Sequence, residues 1–113
     1  IEPTRVAATI ATEETFDAIV SNYPGITIVA FGPTWQGEHW VAVRRVFDVF
    51  AARHSKKVQA LVVNIDEAPE LSSRFETNTV PTFKALLDGK VVAERDGIVT
   101  YTDLEAAFAS YLR

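Results

Sequence analysis

The chain has 113 residues, 48% of them hydrophobic and 11% aromatic, enough for one domain with an ordinary buried core and too few for two. Eleven Lys and Arg against fifteen Asp and Glu give a net charge of −4, with both signs scattered and no contiguous basic run to neutralise a track of phosphates, so neither nucleic acid nor an anionic membrane is an expected partner. The chain contains no Cys, which excludes disulfides, thiolate metal sites and thiol catalysis by its own residues.

The longest nearly continuous apolar run, Ile26 to Phe31, falls far short of the roughly 20 residues needed to cross a bilayer, so a soluble domain is expected. The chain starts at Ile1 and shows no signal-peptide pattern, which leaves a removed targeting segment open; the cytoplasm is the expected compartment, with a processed organellar or secreted form as the alternative.

In chain order, Thr12 to Ser21 predicts a first helix, with Thr12 as its cap and Phe16, Ile19 and Val20 on one face. Asn22 to Gly25 breaks it. Ile26 to Phe31 is apolar and β-branched, the pattern of a central strand covered on both faces. From Glu38 to His54 the apolar positions Val43, Val46, Phe47, Phe50 and Ala51 recur every three or four residues, predicting a long amphipathic helix. Val58 to Ile65 reads as a second buried strand, and Glu67 to Phe75 as a short helix with Pro69 in its first turn. A βαβ unit follows. Thr82 to Leu87 and Lys90 to Arg95 read as an antiparallel pair joined by the two-residue turn Asp88-Gly89. The last helix is expected over Asp103 to Leu112, where Thr102 and Glu105 have capping-box spacing and Leu104, Phe108, Tyr111 and Leu112 form the buried stripe.

This order of elements, together with several local strings, resembles the thioredoxin family over nearly the whole chain. Phe31-Gly32-Pro33-Thr34-Trp35-Gln36-Gly37-Glu38-His39 is similar to the family's active-site strand end and turn, with Trp35 and Gly37 matching Trp and Gly of its Trp-Cys-Gly-Pro-Cys. Val63-Asn64-Ile65-Asp66, Thr79-Val80-Pro81-Thr82 and Asp88-Gly89-Lys90-Val91 resemble its strand ending, its cis-proline loop and its hairpin, and Gly97 matches a glycine beside the active site. The resemblance implies a thioredoxin-like three-layer α/β fold: a central mixed sheet flanked by about four helices, in a single domain over residues 1–113.

The departures fall at the chemistry. Gln36 and His39 stand at the two cysteine positions, Glu38 at the turn proline, and Ala30 where the family has a buried acid that assists proton transfer. The family's helix proline is Arg44 here, so a less kinked helix is expected. Thiol exchange needs a thiolate and a second, resolving thiol, and Gln36 is a neutral amide that hydrogen-bonds but does not attack. No catalytic residue is assigned and no cofactor is expected.

His39 could titrate near neutrality, disfavoured as a cation by the helix N-terminus and favoured by Glu38. The preferred reading is simpler: a first-turn histidine making surface hydrogen bonds. A metal site is not expected, since His54 is about 22 Å further along the helix. Trp35 is the aromatic expected to face a partner, whereas Trp40 is expected to pack inward. In the family the proline loop receives extended polypeptide by main-chain pairing, which does not depend on the cysteines. The candidate binding residues are therefore Trp35, Gln36, Gly37, His39, Thr79, Val80 and Pro81, and the expected partner is a protein or peptide. The alternative is a thiol-independent enzyme or glutathione-binding domain using His39. A purely architectural domain, marked by exposed apolar residues on the long helix, is the third reading. Neither the partner's identity nor the oligomeric state follows from the sequence.

Overall fold

A computed structural model describes residues 8–32, 38–54, 56–77, 82–97 and 100–111. Among these residues five strands form one mixed sheet: β1 (Thr9–Ala11), β2 (Ile26–Gly32), β3 (Val58–Asn64), β4 (Thr82–Leu87) and β5 (Lys90–Asp96), in the spatial order β1-β3-β2-β4-β5. Four helices accompany them: α1 (Phe16–Ser21), α2 (Glu38–Arg53), α3 (Pro69–Arg74) and α4 (Tyr101–Ala107), and a 3-10 turn follows at Ala109–Tyr111. β1 and β2 pair parallel with β3, while β4 pairs antiparallel with both β2 and β5.

Alternation along the strands divides the interior in two. Ile28, Ala30, Val62, Phe83 and Ala85 join Val43, Phe47 and Phe50 of α2 and Leu104 of α4, with Phe108 just beyond it, on one face. Val29, Phe31, Leu61, Val63 and Leu86 join Phe16 of α1, Leu71 of α3 and Phe75 on the other. The apolar run of β2 is needed because both of its faces are covered. Aromatic contacts knit each layer, including Phe47 with Phe83 at 5.4 Å and Phe16 with Phe75 at 5.5 Å between ring centroids. Among the described residues no helix is long and apolar enough to cross a membrane.

The expected helices and strands are present, and several of their limits shift for identifiable reasons. Thr12 does organise the approach to α1, but through a turn: its N–H donates to Thr15 Oγ1 at 2.9 Å, and the Thr15 N–H donates to Thr12 Oγ1 at 3.3 Å. Regular helix begins at Phe16. α3 is limited to Pro69–Arg74, because the residue before a proline avoids helical backbone and Glu76, at φ 54°, turns the chain out of the helix. The cap of α4 is Thr100, not Thr102. Thr100 has extended backbone, its hydroxyl accepts from the Asp103 N–H at 3.1 Å, and the Asp103 carboxylate accepts from the Thr100 N–H at 3.2 Å. Glu105 is thereby free of capping and meets the His54 ring at 2.9 Å. In the last stripe Leu104 and Phe108 are fully buried, Tyr111 is half-buried, and Leu112 lies outside the described residues.

Candidate functional site

The candidate site is framed by strand ends. β2 finishes at Gly32 and the chain resumes at Glu38, the first residue of α2; β4 starts at Thr82. The antiparallel register places Phe31 opposite Thr82, and Thr82 opposite Asp96 on β5. Segments 33–37 and 78–81 therefore attach to neighbouring strands at the same end of the sheet. Gly97 follows Asp96 there with φ 88°, a backbone conformation that suits glycine.

Side chains fix this end firmly. The buried Thr82 hydroxyl hydrogen-bonds the Asp96 carboxylate, tying the start of β4 to the end of β5. One step further in, the Lys84 ammonium pairs with Glu94, so the shaft of a buried lysine ends on a half-exposed carboxylate. The Ile65 N–H donates to the Gly32 carbonyl at 3.2 Å, and Asn64 Oδ1 accepts from the Asp66 N–H at 3.0 Å, which shapes the turn after β3. Trp40, in the first turns of α2, is only 5% exposed and lies over Gly32, as the inward expectation for it requires.

Of the candidate binding residues, Trp35, Gln36, Gly37, Thr79, Val80 and Pro81 lie outside the described residues, as does the Val80-Pro81 peptide bond. His39 is placed by its backbone in the first turn of α2. Ala30, at the position of the family's buried acid, is 1% exposed and belongs to the apolar cluster shared with α2, so nothing in it could relay a proton. α2 runs as one helix of 16 residues through Arg44.

His54 has a structural partner in Glu105, 51 residues away, a pairing that local spacing cannot reveal. The same holds for Arg74, whose guanidinium donates to both Asp17 oxygens at 2.8 and 3.3 Å and lies over the rings of Phe16 and Phe75. Phe16, Asp17 and Arg74 border a cleft of about 530 Å³ that also touches Tyr23, Pro24, Asp88 and Gly89. That cleft sits beside the hairpin turn, at the opposite end of β2 from Gly32.

The sheet order, the layering of the helices and the strand ends that gather around Gly32 define a thioredoxin-like α/β domain. The sequence profile described as Thioredoxin matches residues 7–110, and the chain belongs to the thioredoxin family. It is 31% identical to the thioredoxin of Alicyclobacillus acidocaldarius over 86 residues, 76% of this chain and 81% of that protein. It is 34% identical to the mitochondrial thioredoxin of Bos taurus over 109 residues, which covers 94% of this chain and 65% of the bovine protein. A thioredoxin of Staphylococcus aureus is 30% identical over 81 residues, 72% of this chain and 75% of that protein. The chain itself has no cysteine, so it lacks the thiols of a dithiol active site.

Proposed function

We propose that this chain is a redox-inactive thioredoxin-like binding module, a chaperone-like accessory or assembly subunit, that takes a polypeptide segment between the turn at Trp35, Gln36, Gly37 and His39 and the loop at Thr79, Val80 and Pro81. The observation that carries this reading is a contrast. The frame of the site is kept, with Gly32, Thr82 and Gly97 at one end of three adjacent strands, while thiol and buried acid are both gone. Main-chain pairing to an extended segment needs the frame and not the thiols.

The test is a screen of extended peptides against the immobilised domain, followed by affinity measurements on the peptide retained. Trp35→Ala should weaken that peptide about thirtyfold, as expected of an aromatic anchor. Thr79→Pro, which removes a main-chain donor, should abolish binding while the fold persists. Binding unchanged by both substitutions would show the groove to be idle. Competition by glutathione that disappears in His39→Ala would favour the small-molecule alternative.

One observation favours the architectural reading as a second use of the domain. Val41 and Val49 on α2 are 49% and 53% exposed.

A further inference from the structure

α3 closes with a glutamate where glycine would fit better. The Glu76 N–H donates to the Ser73 carbonyl at 3.2 Å and the Thr77 N–H to the Ser72 carbonyl at 3.0 Å, the paired bonds of a Schellman cap. Glu76 holds the left-handed position of that cap at φ 54°, where a Cβ is strained and glycine is the usual residue.

Its side chain borders a cleft of about 340 Å³ lined by Ile65, Pro69, Ser72, Ser73, Glu76 and Thr77. The cleft adjoins the candidate groove, since the Ile65 N–H is bonded to the Gly32 carbonyl and Thr77 leads directly into segment 78–81.

Hydrogen bookkeeping shows what this cleft can accept. Thr77 Oγ1 donates to the Ser72 carbonyl at 3.2 Å, so the hydrogen shared between the Ser72 and Thr77 hydroxyls comes from Ser72. Both hydroxyl hydrogens are then committed, and these two side chains offer the cleft only lone pairs. Glu76 adds a carboxylate, which also only accepts, and the Ser73 hydroxyl can turn to accept as well. A wall of acceptors calls for a donor, and Ile65 and Pro69 supply the apolar surface for an aliphatic stem.

The charges around it agree. Residues 64–73 and 75–81 hold Asp66, Glu67, Glu70 and Glu76 and no Lys, Arg or His. The neighbouring bases are turned elsewhere: Arg74 is bonded to Asp17, and Lys84 ends on Glu94. Arg95 stands opposite Phe83, whose ring belongs to the layer under α2, and so lies on the other face of the sheet.

We propose that this cleft is the specificity pocket of the groove and takes a lysine or arginine side chain of the bound segment, stem against Ile65 and Pro69 and cationic head between Glu76 and the Ser72 and Thr77 oxygens. The assignment rests on the polypeptide-binding reading given above and adds the chemistry that the segment must carry.

The first probe is a single blocked amino acid, Nα-acetyl-lysine methylamide, titrated into the full chain and followed by amide shifts, with the norleucine and glutamate analogues as controls. The lysine probe should bind in the millimolar range and shift Ile65, Ser72, Ser73, Glu76 and Thr77, and the norleucine analogue should bind about fivefold more weakly. Glu76→Gln should remove that difference. Glu76→Gly should remove it too, with a urea midpoint at or above the parent's because the left-handed position is relieved, which separates the carboxylate's role from any part in folding. The second probe is the peptide screen, whose retained peptides should be enriched in Lys or Arg. The proposal fails if lysine and norleucine probes bind alike, if both Glu76 variants leave the lysine probe unaffected, or if its shifts map to Asp66 and Glu67 instead, the mark of diffuse attraction to acids. Peptides held through Trp35 and Thr79 without enrichment in Lys or Arg overturn the pocket and leave the groove standing. A lysine probe that depends on Glu76, in a chain whose peptides ignore Trp35→Ala and Thr79→Pro, supports the pocket and overturns the groove.

Discussion

The indole of Trp40 fills the space that a side chain on residue 32 would need: a Cβ on Gly32 would fall 2.4 Å from Trp40 Cζ3 and 2.6 Å from Cη2. The pair joins the last residue of β2 to the first turns of α2, across the segment that carries the candidate turn. The requirement for glycine here is one of space, in contrast to Gly97, where among the described residues nothing lies within 4 Å of the position a Cβ would take and the backbone angle, φ 88°, decides.

Gly32→Ala should therefore destabilise the fold by about 1–3 kcal/mol, the usual cost of overpacking. Trp40→Leu in the same chain should recover part of the loss. Urea unfolding of the two single variants and the double variant measures the coupling directly; simple additivity would refute the contact.

The Asp17–Arg74 pair fastens α1 to α3 and makes stability sensitive to acid. The hydrogen bond from Arg74 holds the Asp17 carboxyl below its ordinary value of 3.8, outweighing the opposing effect of partial burial. Because the folded value is the lower one, the stabilisation is complete above 3.8 and is lost as the pH falls through Asp17's own folded value. Asp17 is 71% and Arg74 47% exposed, so the effect is modest and salt-sensitive. Asp17→Asn should lower the urea midpoint modestly near neutrality and flatten the acid limb, so that variant and parent converge at low pH; an unchanged limb would contradict the assignment.

Ala30→Asp, which restores the family's buried acid, should have the opposite pH signature. A carboxyl in the apolar layer with Phe83 and Phe47 is easier to hold neutral than charged. Its folded value should be raised, so the variant should be less stable at high pH than at low pH relative to the parent. Equal destabilisation at both ends of that range would show that water reaches position 30.

The parent chain should show no insulin-reduction activity above background. Gln36→Cys with His39→Cys should form a disulfide on mild oxidation, because residues at the start of a helix turn meet the geometric requirement. Two free thiols by titration after oxidation would argue that segment 33–37 does not follow the family's path.

Much of the fold was legible because local chemistry dictated it. Asp88-Gly89 forms the hairpin expected of it, with both residues at positive φ, 55° and 80°. Leu87 pairs with Lys90 and Leu86 with Val91 by simple reflection about that turn. Beyond this the register slips at Ala85/Leu86, so Thr82 faces Asp96 where reflection would put Arg95. An irregularity of this kind leaves no periodic trace in a seven-residue strand, and the Thr82–Asp96 bond at the candidate site was invisible for that reason. β1 escaped notice because three residues cannot display an alternation. The α4 cap was misread because Thr100 with Asp103 and Thr102 with Glu105 are equivalent spacings, and only backbone conformation separates them. The inward packing of Trp40, by contrast, is legible in the sequence, although its contact with Gly32 is not.

The sheet that separates the two apolar layers also uncouples their packing. Neighbouring residues of one strand, Val29 and Ala30, serve different layers. A substitution accepted beside α1 thus places no steric demand on the packing beneath α2. The layer beneath α2 therefore accommodates Ala30 independently of the layer of Phe16, Phe31 and Phe75, and the shape of the fold does not depend on an ionisable group at position 30.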